Sequence, residues 1–260
     1  MDRITYIPNW GLTSSGQNDL TRNEARKILQ AHPKFCNFMY SHPAETRDAF
    51  FHLLSQYKHV DSIGAHLNNT GSKSTRSVDD WYSLSIELKR NYKFSIAMEN
   101  ASYSGYNTEK VVSSFRAHTV PIYWGDPDIA EWINPKAFVN CHDYSSFEEV
   151  IERVKEIDNN DELWLDMVTQ PWQTDEQRRK TLQASEELGN SMQRILLQDV
   201  KAARRRPVGS WPSIAQNGFT SYVGIMPPLH RRILQKIRAF LRQHVSDETK
   251  YMLKTLLRMH

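Results

Sequence analysis

The sequence lacks any run of the roughly 18 apolar residues that a membrane-spanning helix needs, and no signal peptide is legible at its start. It has two cysteines in 260 residues, Cys36 and Cys141. That is too few for a disulfide framework or a zinc site, and both fall in strand-like segments, so they read as buried free thiols. Internal repeats and low-complexity tracts are missing. Charge of one sign is scarce: the formal balance is only +3. No Asp-x-Asp pair stands on a loop suited to a metal. Asp126-Pro127-Asp128 has the spacing but opens a helical turn, where aspartate is ordinarily a cap. What remains is a globular composition, 39% hydrophobic and 24% charged, long enough for one large or two small domains.

The most informative stretch is residues 92–125. Phe94, Ile96 and Met98 lie in an apolar run that suits a buried parallel strand. Glu99, Asn100 and a small, polar, Gly-containing loop follow. A helix is predicted from Thr108, whose hydroxyl can cap it, with Glu109 in its first turn. Val111, Val112 and Phe115 give that helix an apolar stripe. Pro121-Ile122-Tyr123-Trp124-Gly125 is a second short strand ending at a glycine. This is one βαβ unit. Its polar loop lies at a strand's carboxyl end and a helix N-terminus, where open α/β sheets bind anions.

The same residues resemble the signature of glycosyltransferase family ten, the α1,3/α1,4-fucosyltransferases. The linked pieces are Glu99-Asn100, Tyr106-Asn107-Thr108-Glu109-Lys110 and Val120-Pro121-Ile122-Tyr123-Trp124-Gly125. Together, at matching spacing, they are far more specific than a lone Gly-rich loop. The resemblance runs on through residues 134–140 and 163–167 and thins after Trp172. Met98, where the family has an aromatic, and Ala101, where it has a serine, are mild departures.

The chain in order supports the same fold. Residues 1–18 read as a connecting segment. A short helix is predicted from Thr21, with Glu24 at the capping-box position, ending near Pro33. Strands are expected at 35–40, 60–64, 94–98, 121–125 and 138–141. Helices are expected at 45–57, 79–90, 108–116 and 146–157, with Trp81, Leu84 and Leu88 facing inward in the second. Residues 65–77, with Lys73 and Arg76, read as a solvated connection or a lid. The alternation implies an α/β, Rossmann-like, doubly wound parallel sheet with right-handed crossovers. The resemblance implies the donor-binding half of a GT-B glycosyltransferase. The expected organisation is a linker and short helix over 1–33, a GDP-sugar-binding domain over 34–173 and a helical C-terminal extension over 174–260.

A nucleotide-sugar donor needs its diphosphate held and the charge growing on the leaving phosphate stabilised. Fixed cations and helix N-termini do both. Lys110 sits in a first helical turn, against the helix dipole, which makes sense if an anion binds before it. The bland alternative is a solvated lysine. Arg47 is also a cation in a first turn, and the family uses an arginine in an equivalent helix. Its alternative is a pair with Glu45 or Asp48, neither at the favourable spacing. Glu109 suits the ribose diol, or is a helix-dipole partner only. Asn100 and Tyr106 line the donor pocket by resemblance, and Arg76 is a further substrate-binding candidate. Glu99 either orders the loop by accepting N–H bonds or touches the sugar. Trp124, Trp132 and Phe138 read as core, and His118 as packing or capping a loop. The resemblance implies no required metal or other cofactor.

Residues 174–206 are helix-like and end in Arg204-Arg205-Arg206. Over 229–260, Ile233, Leu234, Ile237, Leu241 and Val245 fall at helical spacing, with Arg231, Arg232, Lys236, Arg238 and Arg242 opposite. This is either a packed amphipathic helix or an attachment to an anionic inner-membrane surface. No base-reading module is visible, so nucleic acid is not an expected partner. The animal and plant members of the family carry a membrane anchor; without one, a bacterial, cytoplasmic form is expected. The resulting expectation is an inverting transferase that uses GDP-fucose and a surface-glycan acceptor oligosaccharide. The family's general base lies in an N-terminal acceptor domain, and this chain reads as beginning after it. A non-catalytic donor-binding module and a membrane-peripheral scaffold are the rival readings.

Overall fold

The computed structural model describes residues 20–71 and 81–198. In chain order the elements are α1 (Arg22–Gln30), β1 (Lys34–Phe38), α2 (Glu45–Tyr57), β2 (Val60–Ser62), α3 (Trp81–Lys89), β3 (Tyr92–Met98), α4 (Glu109–Arg116), β4 (Val120–Trp124), β5 (Val139–Asn140), α5 (Phe147–Asp158), α6 (Asp161–Val168) and α7 (Asp175–Leu196). Single 3-10 turns flank β5 on both sides. All strand pairs are parallel, in the order β2-β1-β3-β4-β5. This is the doubly wound, Rossmann-like arrangement that the β/α alternation predicts.

Each face of the sheet has its own core. Phe94, Ile96 and Met98 of β3 point to one side, where Phe50 and Leu54 of α2, Val150 and Val154 of α5 and Trp164 of α6 cover them. Ala97 and Tyr123 point to the other, beneath Val111, Val112 and Phe115 of α4. Every residue of β3 is buried, which is why its sequence is a run and not an alternation. Buried polar side chains tie the strands together. Asn37 donates to the Phe94 carbonyl at 3.1 Å and accepts from the Ser95 hydroxyl at 2.9 Å, locking β1 to β3.

The helix ends follow their chemistry. Thr21 and Glu24 form a reciprocal capping box on α1. Ser146 caps α5, while Glu149 reaches the backbone N–H of Ser145 instead of Ser146. His118 closes α4 in the left-handed region, φ 56°.

Helix α3 departs from the expected packing. Trp81 and Leu84 are exposed, at 42% and 36%, while Ser85 and Lys89 are buried. The helix packs on α4, and the face it presents there is polar. Thr108 stands at the N-cap of α4 as expected, but its hydroxyl makes no capping bond to that helix.

The chain divides into two compact units, Met1–Arg194 and Ile195–His260. The first holds the sheet. The second, including the amphipathic stretch 229–260, lies outside the described residues beyond 198.

Candidate functional site

The linked sequence pieces meet at Glu99. Its N–H donates to the Trp124 carbonyl at 2.7 Å, one residue past the end of β3. Its carboxylate is fully buried. Oε1 accepts the backbone N–H of Thr108 at 2.7 Å and the Thr108 hydroxyl at 2.8 Å; Oε2 accepts the Lys110 ammonium at 2.7 Å. A strand-end carboxylate thus does the return half of a capping box, from nine residues away in sequence. Gly125 is the third partner. A Cβ there would stand 2.5 Å from Glu99 Cγ, so only glycine leaves room for the buried side chain. Of the two roles open to Glu99, ordering the loop is the one its hydrogen bonds serve.

The loop 101–107 is braced from below. Fully buried Asp126 accepts Gly105 N–H at 3.0 Å, the Asn107 amide at 3.1 Å and Asp128 N–H at 3.0 Å. Its carboxylate is therefore occupied by loop donors. Tyr106 stacks on Tyr103, ring centroids 4.6 Å apart.

β1 and β3 are adjacent, but their following helices, α2 and α4, pack in different cores on opposite faces. The carboxyl ends therefore diverge here, at the switch point where open α/β sheets hold ligands. On the β1 side, the buried Tyr40 hydroxyl donates to the carbonyls of Ile96 and Met98, at 2.7 and 3.0 Å, and accepts Met98 N–H at 2.8 Å. Burial pushes this phenol well above the ordinary range. The ring carries Arg47, whose guanidinium carbon lies 3.7 Å from the ring centre. Arg47 is 1% exposed. It donates to Asn100 Oδ1 and to the His42 carbonyl, each at 2.6 Å, while its buried Nε has no partner among the described residues. Asn100 comes from the β3 side, so this bond closes the crevice at its base.

Above it is a cavity of about 570 Å³ whose wall includes Arg47, Asn100, Glu109, Lys110, Lys89 and Gly64. Gly64 is needed because a Cβ would stand 2.1 Å from the Tyr40 carbonyl oxygen. Glu109 is the single carboxylate of that wall among the described residues, facing three cations. Its carboxylate makes no hydrogen bond among the described residues. Lys110 is 19% exposed at its side chain, held by Glu99 from behind.

Residues 29–206 match the family description "Glycosyltransferase family 10 (fucosyltransferase) C-term". The chain belongs to glycosyltransferase family 10. An alpha-(1,3)-fucosyltransferase of Helicobacter pylori is 36% identical over 135 residues, 52% of this chain and 27% of the relative. GDP-fucose protein O-fucosyltransferase 3 of Xenopus tropicalis is 30% identical over 131 residues, 48% of this chain and 27% of the relative. The crystal structure of an alpha1,3-fucosyltransferase with GDP-fucose superposes with TM-score 0.52 and 28% identity, over 64% of this chain and 53% of that one. The match thus spans about a quarter of these curated relatives and half of the solved chain.

Within this family 10 domain, Arg47, Asn100, Glu109 and Lys110 are brought to one cavity. Glu99 lies behind it and acts through Thr108 and Lys110. Tyr106 does not line the cavity; the loop turns it onto Tyr103. Arg76 lies outside the described residues. The structure adds Lys89, which sequence reading missed. It is 6% exposed, donates to Ser113 Oγ at 2.7 Å, and has no carboxylate within ion-pair distance among the described residues. Burial brings its pKa down to about 8, with Glu109 opposing the shift and Lys110 adding to it. In the sequence, Lys89 looks like any lysine in a last helical turn.

Proposed function

We propose that this chain supplies the donor-binding half of a fucosyltransferase that uses GDP-fucose. The observation that carries the reading is the convergence of Arg47, Lys89 and Lys110 on one cavity with a single carboxylate on its wall. A buried guanidinium without a carboxylate partner is costly, and an anionic ligand removes that cost. Lys110 would contact the diphosphate directly. Arg47, nearly covered, would act as a fixed positive charge beneath it and keep Asn100 in place. Glu109, with its acceptor atoms unoccupied by hydrogen bonds, suits a ribose diol. The positive wall would stabilise the charge that develops on the leaving phosphate.

The reaction in this reading is inverting transfer of fucose to a hydroxyl of an acceptor glycan. It needs a general base opposite the leaving group. Glu109 is committed to the nucleotide, and Glu99 is shut behind Lys110, so neither is placed to serve. The base would come from an acceptor-binding wall. This keeps alive the second reading, a donor-binding module that acts only with such a partner. A missing base withholds roughly 10²–10⁴-fold of rate.

The test is a donor panel. Binding of GDP-fucose, GDP-mannose and a UDP-sugar would be measured by competition, and transfer to N-acetylglucosamine- and glucose-containing acceptors by mass spectrometry. GDP-fucose should bind and transfer should be very slow. Preference for a UDP-sugar would refute the donor assignment. Brisk acceptor-dependent turnover would mean that a carboxylate of this chain serves as base.

A further inference from the structure

We propose that Lys89 is a third cation of the donor site, making a charged contact to the phosphate end of a nucleoside diphosphate. The inference rests on the donor-site reading above and extends it to a residue outside the sequence signature. Lys89 comes from the last turn of α3, while Arg47 comes from α2 and Lys110 from α4, so the cations approach the cavity from separate elements.

The geometry is unusual for a structural lysine. A buried lysine is normally paired with a carboxylate or lets its charge go. Among the described residues Lys89 has no carboxylate partner, and it is only 6% exposed. Its ammonium donates to the Ser113 hydroxyl, leaving further donor capacity toward the cavity that Ser85, Lys89 and Ser113 line together. Trp81 of the same helix also borders this cavity while staying 42% exposed, so the buried residues that α3 brings to it are Ser85 and Lys89.

The groups that face Lys89 are Glu109 and Lys110 from α4, Arg47 from α2 and His42 from the loop after β1. On its own helix, Glu87 and Arg90 pair with each other. Burial brings the Lys89 pKa down to about 8 in the empty site, with Glu109 opposing the shift and Lys110 adding to it. A bound diphosphate favours the ammonium and raises that pKa. Binding above pH 8 therefore takes up a proton, and affinity falls as the pH rises from 8 towards 10.

The experiment is calorimetry with GDP on the full chain, from pH 7 to pH 10 in buffers of different ionisation enthalpy. Wild type should show proton uptake above pH 8. Lys89→Met should bind GDP roughly tenfold to hundredfold more weakly at pH 7 and lose the part of the pH dependence due to Lys89. The ligand's own titration is shared by both proteins. The unliganded variant should melt at or above the wild-type temperature, because a desolvated charge has been removed. Wild-type affinity in Lys89→Met, alongside weakened binding in Lys110→Ala, would overturn the role of Lys89 and leave the donor site standing. Failure of the wild type to bind GDP would overturn both. Loss of affinity and melting temperature together would make Lys89 a structural residue and also refute the proposal. Should Lys89→Met not fold, Lys89→Gln and the wild-type proton uptake decide the matter.

Discussion

Glu99→Gln tests how the site is built. The substitution keeps shape and removes charge. Gln Oε1 can still accept the Thr108 N–H, but its amide nitrogen then points at the Lys110 ammonium, which Glu99 meets at 2.7 Å. Two donors face each other, and the lysine loses its carboxylate, keeping the Thr108 hydroxyl at 2.8 Å. Breaking a buried pair costs about 3–5 kcal/mol. Lys110 retains 19% exposure and can turn towards water, which brings the expectation to about 2–3 kcal/mol. For a unit of this size that is a fall in melting temperature of about 5–10 °C. Urea unfolding followed by tryptophan fluorescence would measure it, since Trp164 is fully buried. The double variant Glu99→Gln/Lys110→Met removes the stranded charge and should recover at least about 1 kcal/mol over the sum of the single effects. Glu99→Gln as stable as wild type, or strict additivity in the double variant, would refute the hub.

Gly125→Ala should destabilise the chain by about 1–3 kcal/mol and weaken GDP binding, because its Cβ displaces Glu99 and with it Lys110; a wild-type urea midpoint and affinity would contradict the packing argument. Lys89 has a folded pKa of about 8 against an ordinary 10.5, so between these values the unfolded chain holds more protons and stability rises with pH. Relative to Lys89→Met, the ligand-free wild type should gain about 2 kcal/mol from pH 8 to pH 10; a flat difference would show that the lysine is not desolvated. For the tail, deleting residues 229–260 should reduce sedimentation with anionic vesicles at low salt, and indifference of the full chain to such vesicles would refute a membrane role.

Much of the sheet was legible because its strands are apolar runs and because α1 and α5 carry ordinary caps. The loop after β3 was marked by its composition, while the strand order β2-β1-β3-β4-β5 is seen only in the structure. The unreadable parts depend on partners distant in sequence. Whether Glu99 orders the loop or meets a sugar turns on Thr108, Lys110 and the missing side chain of Gly125. Helix α3 was read with Trp81, Leu84 and Leu88 inward because apolar spacing was the only cue. The face that it buries is polar and carries Ser85 and Lys89. Tyr40 gave no signal, yet it pins β1 to β3 and carries Arg47. Tyr106 matches the family text and still lies off the cavity, since stacking on Tyr103 fixes it elsewhere.

The most direct measurement is calorimetric titration of the chain with GDP at pH 7, repeated for Arg47→Ala and Lys110→Ala. Binding should be present in the wild type and weaker in each variant by about 1.5–3 kcal/mol, the range for a lost charged hydrogen bond. Both should also lose stability: Lys110→Ala leaves the buried Glu99 carboxylate without its cation, and Arg47→Ala empties the space over Tyr40 and releases Asn100. Wild-type affinity in both variants, or no GDP binding by the wild type, would contradict the assignment of this cavity as the donor site.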